Sequence, residues 1–138
     1  MKYMLLLQAS AETESGAAAD TADLNAMGAF NEQLIKAGVL LAGEGLEASS
    51  TGARVEYSDE PPVVTDGPFA ETKELISGFW ILQVASRDEA IEWARRVPLT
   101  SGRIEVRRVL ELADFDQDNA YVQQEVEWRE KTGESRTA

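Results

Sequence analysis

The residues best suited to chemistry sit in one stretch, VTDGPFAETKELISGFW (64–80), where Asp66-Gly67-Pro68-Phe69 is followed closely by Glu71 and Lys73. A carboxylate at 66 or 71 could serve as a general base or anchor a ligand. A lysine at 73 could clamp an anionic group or, in principle, form a Schiff base. The competing reading is a rigid corner. Asp66 can accept hydrogen bonds from backbone N–H groups one or two residues on, as in an Asx-turn. Gly67 widens the accessible backbone space, and the proline after it disfavours the helical region there. Pro68 fixes its own φ, and Phe69 is then delivered inward as an anchor. If 70–74 run extended, Glu71 and Lys73 share one face while Thr72 and Glu74 share the other. The candidate ligand-binding set is therefore Asp66, Gly67, Pro68, Phe69, Glu71 and Lys73. No catalytic step is assigned to any of them, and no metal or cofactor is called for.

What the chain lacks narrows the chemistry further. It contains no cysteine and no histidine. Thiolate nucleophiles, disulfides and cysteine zinc sites fall away, as do Ser-His pairs, histidine shuttles and histidine-ligated haem. Acid–base work would have to come from carboxylates, lysine, tyrosine or a bound cofactor. The formal net charge is −12, from 13 basic and 25 acidic residues. Such a surface repels nucleic-acid phosphates and anionic membranes, so neither is expected as a partner. At 138 residues one domain is expected, large enough to bury a core without staples. The start, MKYMLLLQASA, superficially resembles a signal peptide. Its apolar run ends at Leu7, however, and an h-region needs about 7–15 apolar residues. A buried strand and a cytoplasmic location are expected instead.

The elements that must position the charged stretch follow from periodicity. Residues 3–8 read as a strand, with Tyr3, Leu5 and Leu7 on one face and Met4 and Leu6 on the other. Residues 9–19 read as a loop. Asp20 or Thr21 caps a helix whose apolar side is Leu24, Met27, Phe30 and Leu34, and Gly38 ends it. A second strand begins at Val39 and is interrupted by Gly43-Glu44-Gly45, which suggests a bulge or bend. Two further strands are expected at 46–49 and 53–57, a break at 58–62, and a short β-prone run at 63–65. The stretch 78–85 is the strongest strand, apolar on both faces: Phe79 and Ile81 oppose Trp80, Leu82 and Val84. Ser86-x-x-Glu89 is a capping box opening a second helix with Ala90, Ile91, Ala94 and Val97 inward, stopped by Pro98. A last strand is expected over 103–112, then a polar helix over 116–132 with Gly133 as its stop and a frayed ESRTA tail.

This order is an α+β, ferredoxin-like β-α-β-β-α-β plan with an extra hairpin between its halves and a C-terminal helix. Helices would cover one face of an antiparallel sheet. The other apolar face needs a second layer, which a partner subunit would supply.

VTDGPFAETKE, together with MKYMLLL, AGVLLAGEGLEAS, GFWILQV and DEAIEWARRVP, resembles the DGPF domain family, a branch of the YCII-related proteins. The resemblance covers about 1–112, leaving 113–138 as a helical extension and tail. It implies a homodimeric α/β barrel, two sheets packed face to face, with a cleft near the motif in each subunit. It also implies a genomic association with extracytoplasmic-function sigma factors and an activity largely unassigned. Related YCII proteins are associated with a His–Asp pair, and that mechanism does not transfer to a chain without histidine. Two functions stand side by side. One is a small-molecule-binding or regulatory module, with a sigma factor as its expected partner. The other is a carboxylate-dependent isomerase or lyase acting on a small cyclic acid, with Asp66 or Glu71 as base.

Overall fold

Side-chain alternation along the strands sets the layers. A computed structural model describes residues 1–58 and 60–133. Its first strand, β1 (Lys2–Gln8), buries Tyr3 and Leu5 on one face and leaves Met4 and Leu6 half-buried on the other. After a one-turn helix, α1 (Ala11–Glu14), come α2 (Thr21–Lys36) and β2 (Leu40–Gly45). The hairpin β3 (Ala53–Glu56) and β4 (Val63–Asp66) leads to β5 (Ile76–Gln83), α3 (Arg87–Arg95), β6 (Ile104–Arg108) and α4 (Ala120–Thr132).

Four strands form one sheet in the order β2-β5-β1-β6, every neighbouring pair antiparallel. This is the expected ferredoxin-like α+β fold, with an open rather than a closed sheet. The helices lie against the face that carries Tyr3, Leu5, Trp80 and Leu82. These pack with Phe30 and Leu34 of α2 and with Ala90 and Trp93 of α3. Leu5, Leu34 and Leu82 are wholly buried, each contributing about 1.5–3 kcal/mol through removal of apolar surface from water. Phe30 meets Trp80 edge-on, ring centroids 5.6 Å apart at 84°, and Trp80 donates from Nε1 to Asn31 Oδ1 at 2.9 Å. A polar handle on a buried indole is thus satisfied at the edge of the core. Phe79 and Ile81 of β5 stay half-buried on the opposite face, beside Met4 and Leu6.

Several local expectations are corrected. The expected loop 9–19 contains α1, because Ser10 caps it through a box closed by Thr13 rather than Glu or Gln. Thr13 N donates to Ser10 Oγ at 3.1 Å, and Ser10 N donates to Thr13 Oγ1 at 2.8 Å. Leu24 is 60% exposed: burial grows along α2 from Met27 to Phe30 and Leu34, and the first turn reaches beyond the sheet. The glycines 43 and 45 do not interrupt β2. The register shift falls between Leu40 and Ala42, and the strand continues to Gly45. Glycine at 43 allows the Trp80 indole to approach closely, since a Cβ there would lie 3.1 Å from Trp80 Cδ1 and press the ring aside by a few tenths of an ångström. Residues 46–49 form no strand; a 3-10 turn at Ser49–Thr51 leads instead into the β3–β4 hairpin. β6 stops at Arg108, and α4 starts at Ala120, where Asn119 Oδ1 accepts from Tyr121 N and Val122 N. The second helix is capped by Ser86 as expected, its Oγ accepting from Glu89 N at 3.2 Å, but the box is not closed on the cap itself: Glu89 Oε2 accepts from Ala85 N, one residue earlier, at 2.8 Å. The expected fraying of ESRTA lies outside the described residues.

Candidate functional site

The Asp-Gly-Pro-Phe stretch builds a corner around Ser49. Gly67 N donates to Gly52 O at 2.9 Å, tying the end of β4 to the turn before β3. A Cβ on Gly67 would sit 1.8 Å from the Ser49 carbonyl oxygen, so only glycine fits. The Gly67–Pro68 peptide is cis. Phe69 N donates to Ser49 Oγ at 3.0 Å. The same hydroxyl donates to Glu14 Oε2 at 2.5 Å, while Ser49 N donates to Glu14 Oε1 at 3.0 Å. One serine thus links α1, the turn at 49–51 and the motif. The Ser49 hydroxyl and, second, its backbone N–H hold the Glu14 carboxyl below the usual glutamate range, because both stabilise the anion.

The motif's own side chains are placed differently from the expectation. Asp66 is exposed and pairs through its backbone with Ala53; among the described residues its carboxylate caps no turn. Phe69 does not enter the core. It is half-buried beneath the Arg54 guanidinium, which lies 3.8 Å from the ring centroid and pins the corner to the hairpin by a cation–π contact. Residues 72–74 form a 3-10 turn rather than an extended segment, which removes the alternation expected of Glu71 and Lys73. The Lys73 carbonyl accepts from Gln8 Nε2 at 3.2 Å and from Arg103 Nη2 at 3.1 Å. Lys73 borders a recess of about 250 Å³ with Leu6, Gln8, Ile76, Arg103 and Glu105.

Two adjoining clefts lie elsewhere, under α2. One, of about 320 Å³, is bounded by β1, α1, the start of α2 and the 98–102 loop. The other, of about 180 Å³, lies between α2, β2 and β5. They share Leu7, Met27 and Ser77, so they form one continuous feature with an apolar centre. Its polar contributors include Gln8, Ser10, Thr13 and Asn31, and among the described residues its charged ones are Glu12, Asp23 and Glu44, with no lysine or arginine. Of the six predicted site residues, Lys73 alone borders any of the cavities described, and that recess touches this cleft only at Gln8. Among the described residues, no group of three or more acidic side chains is placed to hold a metal ion. No described helix is long and apolar enough to cross a membrane.

Sequence reasoning missed Ser49, Glu14 and Asn31. Ser49 and Glu14 are separated by thirty-five positions in the chain, and nothing local to either betrays the contact. Asn31 had a usable signal. A polar residue beside Phe30 on the inward arc of α2 invites a buried donor, and Trp80 Nε1 is that donor.

Comparison with known proteins gives the frame for this geometry. The model of the YCII-related domain matches residues 1–113. An uncharacterised protein of Rhizobium meliloti is 38% identical over 69 residues, which are 50% of this chain and 56% of the relative; the chain therefore spans little more than half of that protein. A solved structure, the 5-chloro-2-hydroxyhydroquinone dehydrochlorinase of Burkholderia phenoliruptrix in complex with 2,5-dihydroxybenzoquinone, is similar over 84% of this chain and 100% of its own. That similarity has a TM-score of 0.47 and 15% identity.

Proposed function

The chain belongs to the YCII-related domain family, and from that premise we propose that it is a small-molecule-binding or regulatory module acting as a homodimer. The observation that carries this reading is the continuous cleft under α2, apolar at Leu7 and Met27 and ringed by hydrogen-bonding groups. Its larger part reaches the size range of ligand pockets, about 300–1,000 Å³. With Glu12, Asp23 and Glu44 at its edge and no cation among its described lining residues, the cleft suits a neutral or cationic ligand with an apolar body. The motif then supports the cleft from outside. Its Ser49–Glu14 link fixes α1, which carries Ser10, Glu12 and Thr13 into the cleft wall.

The homodimer rests on the sheet. Met4, Leu6, Phe79 and Ile81 sit on the face opposite the helices. Two such faces packed together would make the barrel that the DGPF resemblance implies. The regulatory side of the reading carries the partner of that resemblance, an extracytoplasmic-function sigma factor, in the cytoplasm. Domain limits follow the same reading, with 1–112 as the functional unit and the helix after it as an extension. The carboxylate-enzyme alternative would have to draw on Glu12, Asp23 or Glu44, since neither Asp66 nor Glu71 borders the cleft.

The test is native mass spectrometry of the gently purified protein, followed by a thermal-shift screen of small neutral and cationic metabolites. A dimer whose melting temperature rises with one ligand class is expected. At a ligand concentration one hundred times Kd, stabilisation would be about 2.7 kcal/mol. The rise should vanish in Met27→Trp, which fills the centre of the cleft. A monomer would remove the barrel. A ligand shift that survives Met27→Trp would remove the cleft assignment.

A further inference from the structure

A second groove, of about 720 Å³, lies between α3 and β6 and meets the cleft under α2 at the 99–102 loop, whose residues line both. Its walls carry three arginines, Arg87, Arg95 and Arg103, and one acid, Glu105. This is a local excess of positive charge on a chain of net charge −12. Arg87 and Arg95 are exposed and make no ion pair among the described residues. Between these cations the floor is apolar, including Ile91, Ala94 and Val106.

The groove also runs along a free sheet edge. β6 pairs with β1 and, among the described residues, has no strand on its other side. Val109 N donates to Lys2 O at 2.8 Å, and Gln8 N donates to Arg103 O at 3.1 Å. In an antiparallel ladder these bonds alternate, so odd-numbered residues from 103 to 109 bond to β1. The N–H and C=O groups of Ile104, Val106 and Arg108 therefore point outward, away from β1. A strand edge with unpaired backbone groups is a template for another extended chain.

We infer that this edge and its arginines form a docking groove for an extended acidic peptide segment of a partner, added antiparallel to β6. In that register, peptide residues hydrogen-bonded to Ile104 and Val106 turn their side chains to the helix side of the sheet, towards α3. Arg87 and Arg95 are two turns apart, about 12 Å along the helix. Acidic residues four positions apart on an extended strand are spaced by about 13 Å, which matches. The segment thus carries acidic side chains at alternate positions facing α3, their stems lying on the apolar floor. Charge complementarity with Arg87 and Arg95 selects this occupant over a basic one, and the outward backbone groups of β6 select a peptide over a nucleic acid, which has no peptide N–H and C=O groups to add to the sheet.

The experiment uses the full chain and a fluorescein-labelled octapeptide alternating glutamate and valine, read by fluorescence anisotropy. Expected is saturable binding that weakens as salt rises from 50 to 200 mM and drops at least tenfold in the Arg87→Glu, Arg95→Glu double variant. Both substitutions are on exposed helix positions, and an unchanged melting temperature verifies folding. Two modified peptides test strand addition without touching the protein. N-methylation of the glutamates should abolish binding, because those N–H groups face β6, while N-methylation of the valines should leave it intact. Equal binding by both methylated peptides, or tight binding of a peptide with lysine in place of glutamate, would overturn the inference. So would binding that weakens as protein concentration rises, which would mean that a second copy of this chain fills the groove.

Discussion

Replacing Gly67 with alanine tests whether the Asp-Gly-Pro-Phe corner is set by one steric contact. The new Cβ would lie 1.8 Å from the Ser49 carbonyl oxygen and 2.7 Å from its carbonyl carbon, both backbone atoms that cannot rotate away. A tolerable contact starts at about 3.0 Å. The two chain segments must therefore separate by roughly 1.2 Å, more than the 2.9 Å bond from Gly67 N to Gly52 O can absorb. The bond from Phe69 N to Ser49 Oγ is drawn off by the same displacement. Overpacking costs about 1–3 kcal/mol and a lost hydrogen bond about 0.5–1.5 kcal/mol, so a loss of about 2–4 kcal/mol is expected. The assay is urea unfolding at pH 7 with hydrogen exchange at Gly67 and Phe69. Gly45→Ala is the control, since nothing lies within 4 Å of its added Cβ, and its stability should stay the same or rise slightly. A Gly67→Ala protein within 0.5 kcal/mol of wild type, roughly the scatter of surface substitutions, with unchanged exchange would refute the steric account of the motif.

The remaining predictions address the same site and core. Glu14→Gln should flatten the acid dependence of stability: the folded-state pKa of Glu14 is depressed by Ser49, so its contribution is present above the ordinary glutamate pKa and lost as pH falls through the lowered one. Melting temperatures from pH 7 to 3 should show the wild-type advantage shrinking below about pH 4.3; a constant difference would contradict the link. Asp66→Asn should change urea stability by no more than about 0.5 kcal/mol, because that carboxylate is exposed and caps nothing among the described residues; a larger loss would restore the Asx-turn. Leu82→Ala should cost about 2–5 kcal/mol by the same measurement, since Leu82 is wholly buried between the sheet and both helices. Ile81→Arg should turn a dimer into a monomer in light scattering if the sheet faces pack together; a surviving dimer would locate the contact elsewhere.

How much of this was readable in the chain depends on how local each cause is. Strand alternation is a period-two property of neighbouring residues, so the opposite faces of Tyr3-Leu5 and Met4-Leu6, and of Trp80-Leu82 and Phe79-Ile81, were visible directly. Helix stops and caps within a turn of the core were equally local: Asp20 accepts from Asp23 N, and Gly38 takes φ +72°. The Ser10–Thr13 box escaped only because the acid or amide that usually closes it was replaced by a hydroxyl. The order of elements then led to the ferredoxin-like plan, and the motif residues led to the YCII-related family.

Tertiary structure alone decided what the charged motif touches. Asp66, Glu71 and Lys73 carry reactive groups at every level of description, but reactivity becomes a site only where a cavity brings groups together. Here the chain folds Gly67 against Ser49, ties Ser49 to Glu14 on α1, and turns Asp66 outward. The cleft instead collects Leu7, Met27 and Ser77 from three distant segments. Periodicity reports which face of an element is apolar, because that depends on neighbours along the chain. It cannot report which loop meets which, because those contacts are fixed by packing between residues far apart in sequence.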